Sequence, residues 1–327
     1  MFACVLFTNA IEIAGDKLNL SEGAVGSILA AVGTALPETV VPLVAIFGAY
    51  ITGSNLAQNQ EIGIGAILGA PFMLGTLAFF VTGMAVLIFA KTGRRSRDMS
   101  VDPVVMFRDI HYFVCAYFLA FLSTFVHVLL LKYLIAALLL GIYLVYVIKT
   151  VRTCTKTEGE PELDELFFGK YIKIFKHHEV FGLILQIFLS LFGIIILAHF
   201  FINQIKFLSD VFKINPFILS LILTPIATEL PEKFNSIIWI RAKKDMLAVG
   251  NITGAMVFQS CILPAIGLVL TPWILGREAI LSIIMVYLSV GVVYLNIVIN
   301  KGVLKPTALI SGGFFYLIYL FYVLTTI

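Results

Sequence analysis

Two glutamates stand where a glutamate is costly. Glu38 and Glu232 each lie inside a long apolar stretch, and each directly follows a proline, Pro37 and Pro231. An ionised carboxylate at membrane depth is strongly disfavoured unless it meets a cation or takes up a proton. A proline within a span frees a backbone carbonyl, and such irregular backbone persists in a bilayer only where it lines a cavity or binds something. Carboxylates and freed carbonyls together make an all-oxygen site, which suits hard cations such as Ca2+ and Na+. A structural acid satisfied by hydrogen bonds is the plainer reading, but its duplication beside a proline in two places is hard to reach by packing alone.

The stretches that carry these acids are parts of a membrane protein. Of the 327 residues, 60% are hydrophobic and only 13% charged, and the mean hydropathy is +1.04, too apolar for a solvated surface. Runs such as Val180 to Phe201 do not alternate apolar and polar, which excludes a β-barrel. Apolar length against polar punctuation predicts spans at 20–51, 62–90, 110–128, 131–150, 180–205, 214–240, 246–271, 279–299 and 306–326. Residues 1–14 are too short for a full crossing, at about 21 Å of helix against about 30 Å of hydrocarbon, and read as a shortened first span. No basic segment or cleavage site marks them as a signal peptide.

The connections are charged unequally. One alternate set holds Lys17, the run from Lys91 to Arg108, Lys149 to Lys176, Arg241 to Lys244, Lys301 and Lys305, whereas the other holds only Lys132, Lys206, Lys213 and Arg277. The positive-inside rule makes the first set cytoplasmic, including the central connection 151–179. A net charge of +3, dispersed between spans, implies the lipid bilayer and no nucleic acid as partner. Cys4, Cys115, Cys154 and Cys261 are too scattered for a zinc site or a disulfide framework. The acids between Glu158 and Glu165 read as a solvated linker, and His127, His177 and His178 carry no relay pattern.

The chain repeats itself. Gly33-Thr34-Ala35-Leu36-Pro37-Glu38 matches Ala227-Thr228-Glu229-Leu230-Pro231-Glu232, and Phe7-Thr8-Asn9 matches Phe201-Ile202-Asn203 at the same offset. Downstream, Gly65-Ala66-Ile67-Leu68-Gly69-Ala70 matches Gly250-Asn251-Ile252-Thr253-Gly254-Ala255, after extra residues around Ser54 to Asn59 in the first copy. The prediction is an all-α polytopic membrane protein of about ten transmembrane helices in two inverted five-helix repeats, the first helix shortened. Residues 1–150 form the first repeat, 151–179 the linker and 180–327 the second; 180–194 have no counterpart in the first. The glycines, four residues apart, are expected to let helices touch backbone to backbone.

This pattern resembles the alpha repeats of the cation/Ca2+ antiporter superfamily, the sodium/calcium exchangers and their relatives, over residues 33–74 and 227–264. The resemblance implies a secondary antiporter that exports Ca2+ against Na+ or H+ by alternating access, with no resident cofactor and no enzymatic chemistry, in a plasma or inner membrane. It implies Glu38 and Glu232 as cation ligands, assisted by the carbonyls of Thr34 and Thr228. The chain departs from the family at Ala35 and Glu229, where serines are expected, at Ala70 and Ala255, and at Leu74 and Gln259, where an Asp or Asn is expected. Fewer oxygens near Glu38 and an added acid at Glu229 make H+ coupling as credible as Na+ coupling. Glu229 is read either as a ligand or as the i,i+4 partner of Lys233, which itself could replace a coupling ion. Gln259 is read as a ligand or as a helix-to-helix hydrogen bond, and Asn251 more as the latter. Transport of another cation, or a flux-free binding or assembly role, remains the alternative.

Overall fold

A computed structural model describes residues 2–17, 36–53, 55–153, 165–171 and 179–326; of 2, 4, 12, 15, 16, 36, 50–52, 153, 171 and 230–235 it describes the backbone only. These residues are nearly all helical: α1 (Phe2–Lys17), α2 (Leu36–Thr52), α3 (Leu56–Met73), a π-helical turn (Leu74–Ala78), α4 (Phe79–Lys91), α5 (Pro103–Leu122), α6 (Leu129–Thr153), the short α7 (Phe167–Tyr171), α8 (Glu179–Phe212), α9 (Pro216–Arg241), α10 (Asp245–Leu270), α11 (Arg277–Ile299) and α12 (Pro306–Thr326). Among the described residues, seven helices are long and apolar enough to cross a membrane: Leu56–Lys91, which runs from α3 through the π turn into α4, and α5, α6, α8, α10, α11 and α12. Pro37–Ala49 and Pro216–Glu229 are shorter apolar stretches.

Several helices start or stop away from the predicted bounds, and caps explain most of this. Asn55 accepts from the Gln58 amide at 3.3 Å and starts α3 early, so that the polar run from Gln58 to Glu61 is helical. Asp102 accepts from the Val104 amide at 2.8 Å, with Pro103 in the first turn, and α5 therefore begins before Arg108 and Asp109. Arg108 was expected in a connection and lies in a helix instead. Lys206, also expected in a connection, lies within α8, which continues to Phe212.

The apolar interior falls into two clusters. The smaller joins α1, α2, α3 and α8 through Phe7, Val41, Ala45, Ile62, Ile194 and Ile202; the larger fills the remainder, around α3, α5, α10 and α11. α3 and α10 are mostly inside, whereas α6 and α8 turn long apolar rows outward, as lipid-facing helices must. α1 runs antiparallel to α8: Lys17 pairs with Glu179 at 2.6 Å, while a side chain on Gly193 would meet Ala3.

Connections clasp each end of the bundle. At one end Met99 and Ser100 pair antiparallel with Leu304 and Val303, and the buried Arg95 grips Asp245 with two bonds of 2.6 and 2.9 Å. Asp245 also accepts from the Ser100 amide at 3.1 Å, so this buried pair has the hydrogen bonds that a desolvated ion pair needs. At the other end Trp273 is fully buried and donates to the Ala120 carbonyl at 3.0 Å; Lys132 donates to the Pro272 carbonyl.

Candidate cation site

The site is built around α9 and the helices that hold it. Asn215 caps α9 by accepting from the Phe217 amide at 2.7 Å, with Pro216 at its first position. The helix then continues through Pro225 and Pro231. Ser220, Thr224 and Thr228 recur every four residues and so share one face. Ser220 donates to the Ile62 carbonyl of α3 at 2.7 Å and lies 3.0 Å from Thr224; Thr228 donates to the Thr224 carbonyl at 3.1 Å. Thr228 thus donates its hydroxyl proton within its own helix, and the oxygen keeps its lone pairs.

The α3 glycines let this face approach. A Cβ on Gly65 would collide with the Phe217 carbonyl and Ser220, and one on Gly69 with the Leu221 carbonyl and the Pro225 ring. Because Pro225 has no amide proton, the Leu221 carbonyl lacks its usual partner one turn on, and the glycine gives it room. The expected backbone-to-backbone contact is therefore present at the first glycine pair. At the second it is not: among the described residues a Cβ on Gly250 would meet only Met246 at 3.2 Å, and one on Gly254 the Tyr146 hydroxyl at 3.5 Å. α10 lies farther from its neighbours along that face because side chains, not backbone, fill the gap.

Of the predicted ligands, Glu229 and Gln259 come together. Both are buried, 1% exposed, and the Gln259 Nε2 donates to Glu229 Oε1 at 2.7 Å, tying α10 to α9. Gln259 Oε1 accepts no hydrogen bond among the described residues. An acceptor buried without a donor is costly, and a cation would satisfy it. Ser236, two turns from Glu229 on the same face, likewise buries a hydroxyl with no hydrogen-bond partner among the described residues. Glu38 lies at the start of α2, 3% exposed, and α2 packs on both α3 and α9. Thr34 lies outside the described residues, as do the side chains of Glu232 and Lys233, and with them the expected Glu229–Lys233 pair. No group of three or more His, Cys, Asp or Glu arranged to hold a metal occurs among the described residues.

Leu74, opposite number of Gln259, is fully buried in the apolar cluster. It opens the π-helical turn, whose Gly75 carbonyl accepts from Ser289 at 2.5 Å. No ligand is offered there.

Sequence reasoning missed three groups. Ser220 and Thr224 carry a readable signal, the four-residue spacing with Thr228. Asp109 carries none, since beside Arg108 it looks like a loop. It is 2% exposed, and both oxygens are hydrogen-bonded: Oδ1 accepts from Arg108 at 3.0 and 3.1 Å and from Tyr146 at 3.1 Å, and Oδ2 from Thr253 at 2.8 Å. This carboxylate locks α5, α6 and α10 together.

Comparison with known proteins adds a family. The overall fold is similar to that of the H+/Ca2+ exchanger CAX, with TM-score 0.73 and 15% identity, over 99% of this chain and 82% of the other. It is similar also to the sodium-calcium exchanger NCX_Mj soaked with 100 mM Na+ and 10 mM Sr2+, with TM-score 0.60 and 17% identity, over 98% and 93%. The same exchanger soaked without Na+ and Ca2+ gives 0.56 and 16%, over 97% and 92%. At these identities the likeness is one of fold. No curated protein sequence matches the chain. The description "Sodium/calcium exchanger protein" matches residues 1–151 and 182–327. These relatives are exchangers, not enzymes, and with nearly its whole length matched and its helices built to cross a bilayer, the chain belongs to the sodium/calcium exchanger protein family.

Proposed function

We propose that the chain is a Ca2+ antiporter, exporting Ca2+ in exchange for H+ or Na+ by alternating access around Glu38 and Glu232. The seven long spans together with α1, α2 and α9 make ten crossings in two inverted repeats, 1–150 and 180–327, joined by a cytoplasmic linker at 151–179. The membrane is the plasma or inner membrane. Ca2+ is held by the two glutamates, by carbonyls at Thr34 and Thr228, and by Glu229 with the Gln259 carbonyl oxygen. The negative charge of these carboxylates offsets the cost of dehydrating one divalent ion, and protonation of a carboxylate releases it.

The observation that carries this reading is the buried Glu229–Gln259 pair, in which Gln259 Oε1 accepts nothing among the described residues. The antiparallel α1 and α8 support the inverted layout. Leu74 in the apolar core favours H+ over Na+, because the first repeat has too few oxygens to help cage several dehydrated Na+ ions.

The test is Ca2+ uptake by vesicles containing the purified protein, under a pH gradient without Na+ and, separately, under a Na+ gradient at fixed pH. Uptake under the pH gradient is expected, lost in Glu38→Gln and Glu232→Gln. Uptake only under the Na+ gradient overturns the H+ assignment, and near-parent flux in both variants overturns the site. Flux of another cation in place of Ca2+, or no flux, assigns the scaffold to that cation or to a binding or assembly role.

A further inference from the structure

α8 carries a second polar feature that cation exchange does not use. His199, Asn203 and Lys206 lie on one face, four and three residues apart, and with Asn59 of α3 and Gly48 of α2 they line an open cavity of about 160 Å3, in which His199 and Asn203 are exposed and Lys206 half-buried. Among the described residues no carboxylate lines it. Every polar side chain in it can donate a hydrogen bond, and one is a fixed cation. Among the described residues Lys206 forms no ion pair; Asp210, four residues on, and Glu61 of α3 do not reach it within 4.0 Å.

A lysine inside a membrane-spanning helix calls for a named partner. Snorkelling towards water is the ordinary answer for a lysine on a lipid-facing surface; here the half-buried Lys206 also borders an open cavity lined by two amides and an imidazole, at the edge of the outward face of α8. A Ca2+ ion would be repelled from such a lining, whereas an anion is suited to it.

Depth narrows the anion. Gly48 and Asn59 stand four and three residues from the helix ends at Thr52 and Leu56, which puts the cavity roughly 5–6 Å below them. With helix ends at the bilayer surface, that depth falls near the boundary between headgroups and acyl chains. Phe200 and Phe207, next in sequence to His199 and Lys206, are 61% and 60% exposed and present apolar surface beside the cavity. α8 is 34 residues long, about 51 Å, and so extends past the hydrocarbon core into the headgroup layer.

We propose that the cavity between α2, α3 and α8 binds a phosphate group, that of a bilayer phospholipid, with Lys206 as its counter-ion and His199 and Asn203 as hydrogen-bond donors; Asn59, whose Nδ2 donates to the Asn55 carbonyl at 2.9 Å, forms the wall. Charge-assisted bonds to phosphate are among the stronger polar contacts, and Lys206 supplies the charge for one. The proposal is independent of which cation the protein moves.

The test is thermal unfolding of the purified full chain in detergent, with phosphatidylglycerol, diacylglycerol of the same chains, or inorganic phosphate added. Phosphatidylglycerol is expected to raise the unfolding temperature, and diacylglycerol is not. Lys206→Gln is expected to weaken the apparent affinity for phosphatidylglycerol about tenfold, Lys206→Arg to keep it, and Lys213→Gln, which removes an exposed charge at the same end of α8, to leave it unchanged. Asn203→Leu reads the same cavity should Lys206→Gln fail to fold. A Lys206-dependent response to inorganic phosphate at concentrations where the lipid has no effect supports the phosphate site but overturns the lipid as its source. Equal effects of Lys206→Gln and Lys213→Gln, diacylglycerol as effective as phosphatidylglycerol, or no response to any of the three overturns the proposal.

Discussion

Gly65 and Gly69 share their spacing and their place in the repeat with Gly250 and Gly254, yet the two pairs sit in different surroundings. The first pair receives carbonyls and a proline ring of α9 where side chains would be; the second faces Met246 of its own helix and the Tyr146 hydroxyl. The difference continues along the same two helices. α3 runs into the π turn at Leu74 in the apolar core, whereas α10 carries Gln259 to Glu229 and Thr253 to Asp109. A duplicated motif thus supplies a close backbone seam on one side and a polar crossroads on the other. The spacing of small residues permits contact, and what arrives at the gap depends on the partner helix.

The largest expected effect tests the seam. Gly69→Ala places a Cβ against a backbone carbonyl that cannot move without shifting α9, so a loss of about 3 kcal/mol of stability is expected, read as a lower unfolding temperature and a lower folded yield. Next comes the crossroads: Asp109→Asn keeps the shape but leaves Arg108 without its charged acceptor, with about 2 kcal/mol lost by the same measurement. Gln259→Leu makes the second repeat resemble the first at Leu74. It removes the donor to Glu229, and Ca2+ flux in vesicles is expected to fall about tenfold, equivalent to ~1.4 kcal/mol. The smallest change is Gly250→Ala, within about 0.5 kcal/mol of the parent, since a methyl there meets only the flexible end of Met246. Equal costs for Gly69→Ala and Gly250→Ala would erase the distinction between the two glycine pairs.

Much of this site is visible as residue types before any fold is known. Glu229 and Gln259 are both candidate ligands by their place in the repeats, and they meet at 2.7 Å. The residues that position them are less visible. Ser220 and Thr224 show a four-residue spacing, but their use, one hydroxyl bonded to the Ile62 carbonyl, needs α3 beside α9. Asp109 is hidden because an Arg-Asp step reads as the polar end of a span. Its other partners, Tyr146 and Thr253, are 37 and 144 residues away in the chain.

Hydropathy adds up along a segment, independently of what the segment touches, because transfer from water to lipid is a local exchange of solvent. That is why the sequence by itself determines a helical membrane protein, the repeated Pro-Glu element and the glycines able to admit a neighbour. Which polar groups then face one another depends on the rotation and separation of whole helices, set by side chains packed from distant parts of the chain. Only the tertiary structure decides that Gly69 meets α9, that Gln259 reaches Glu229 and that Lys206 opens onto a cavity.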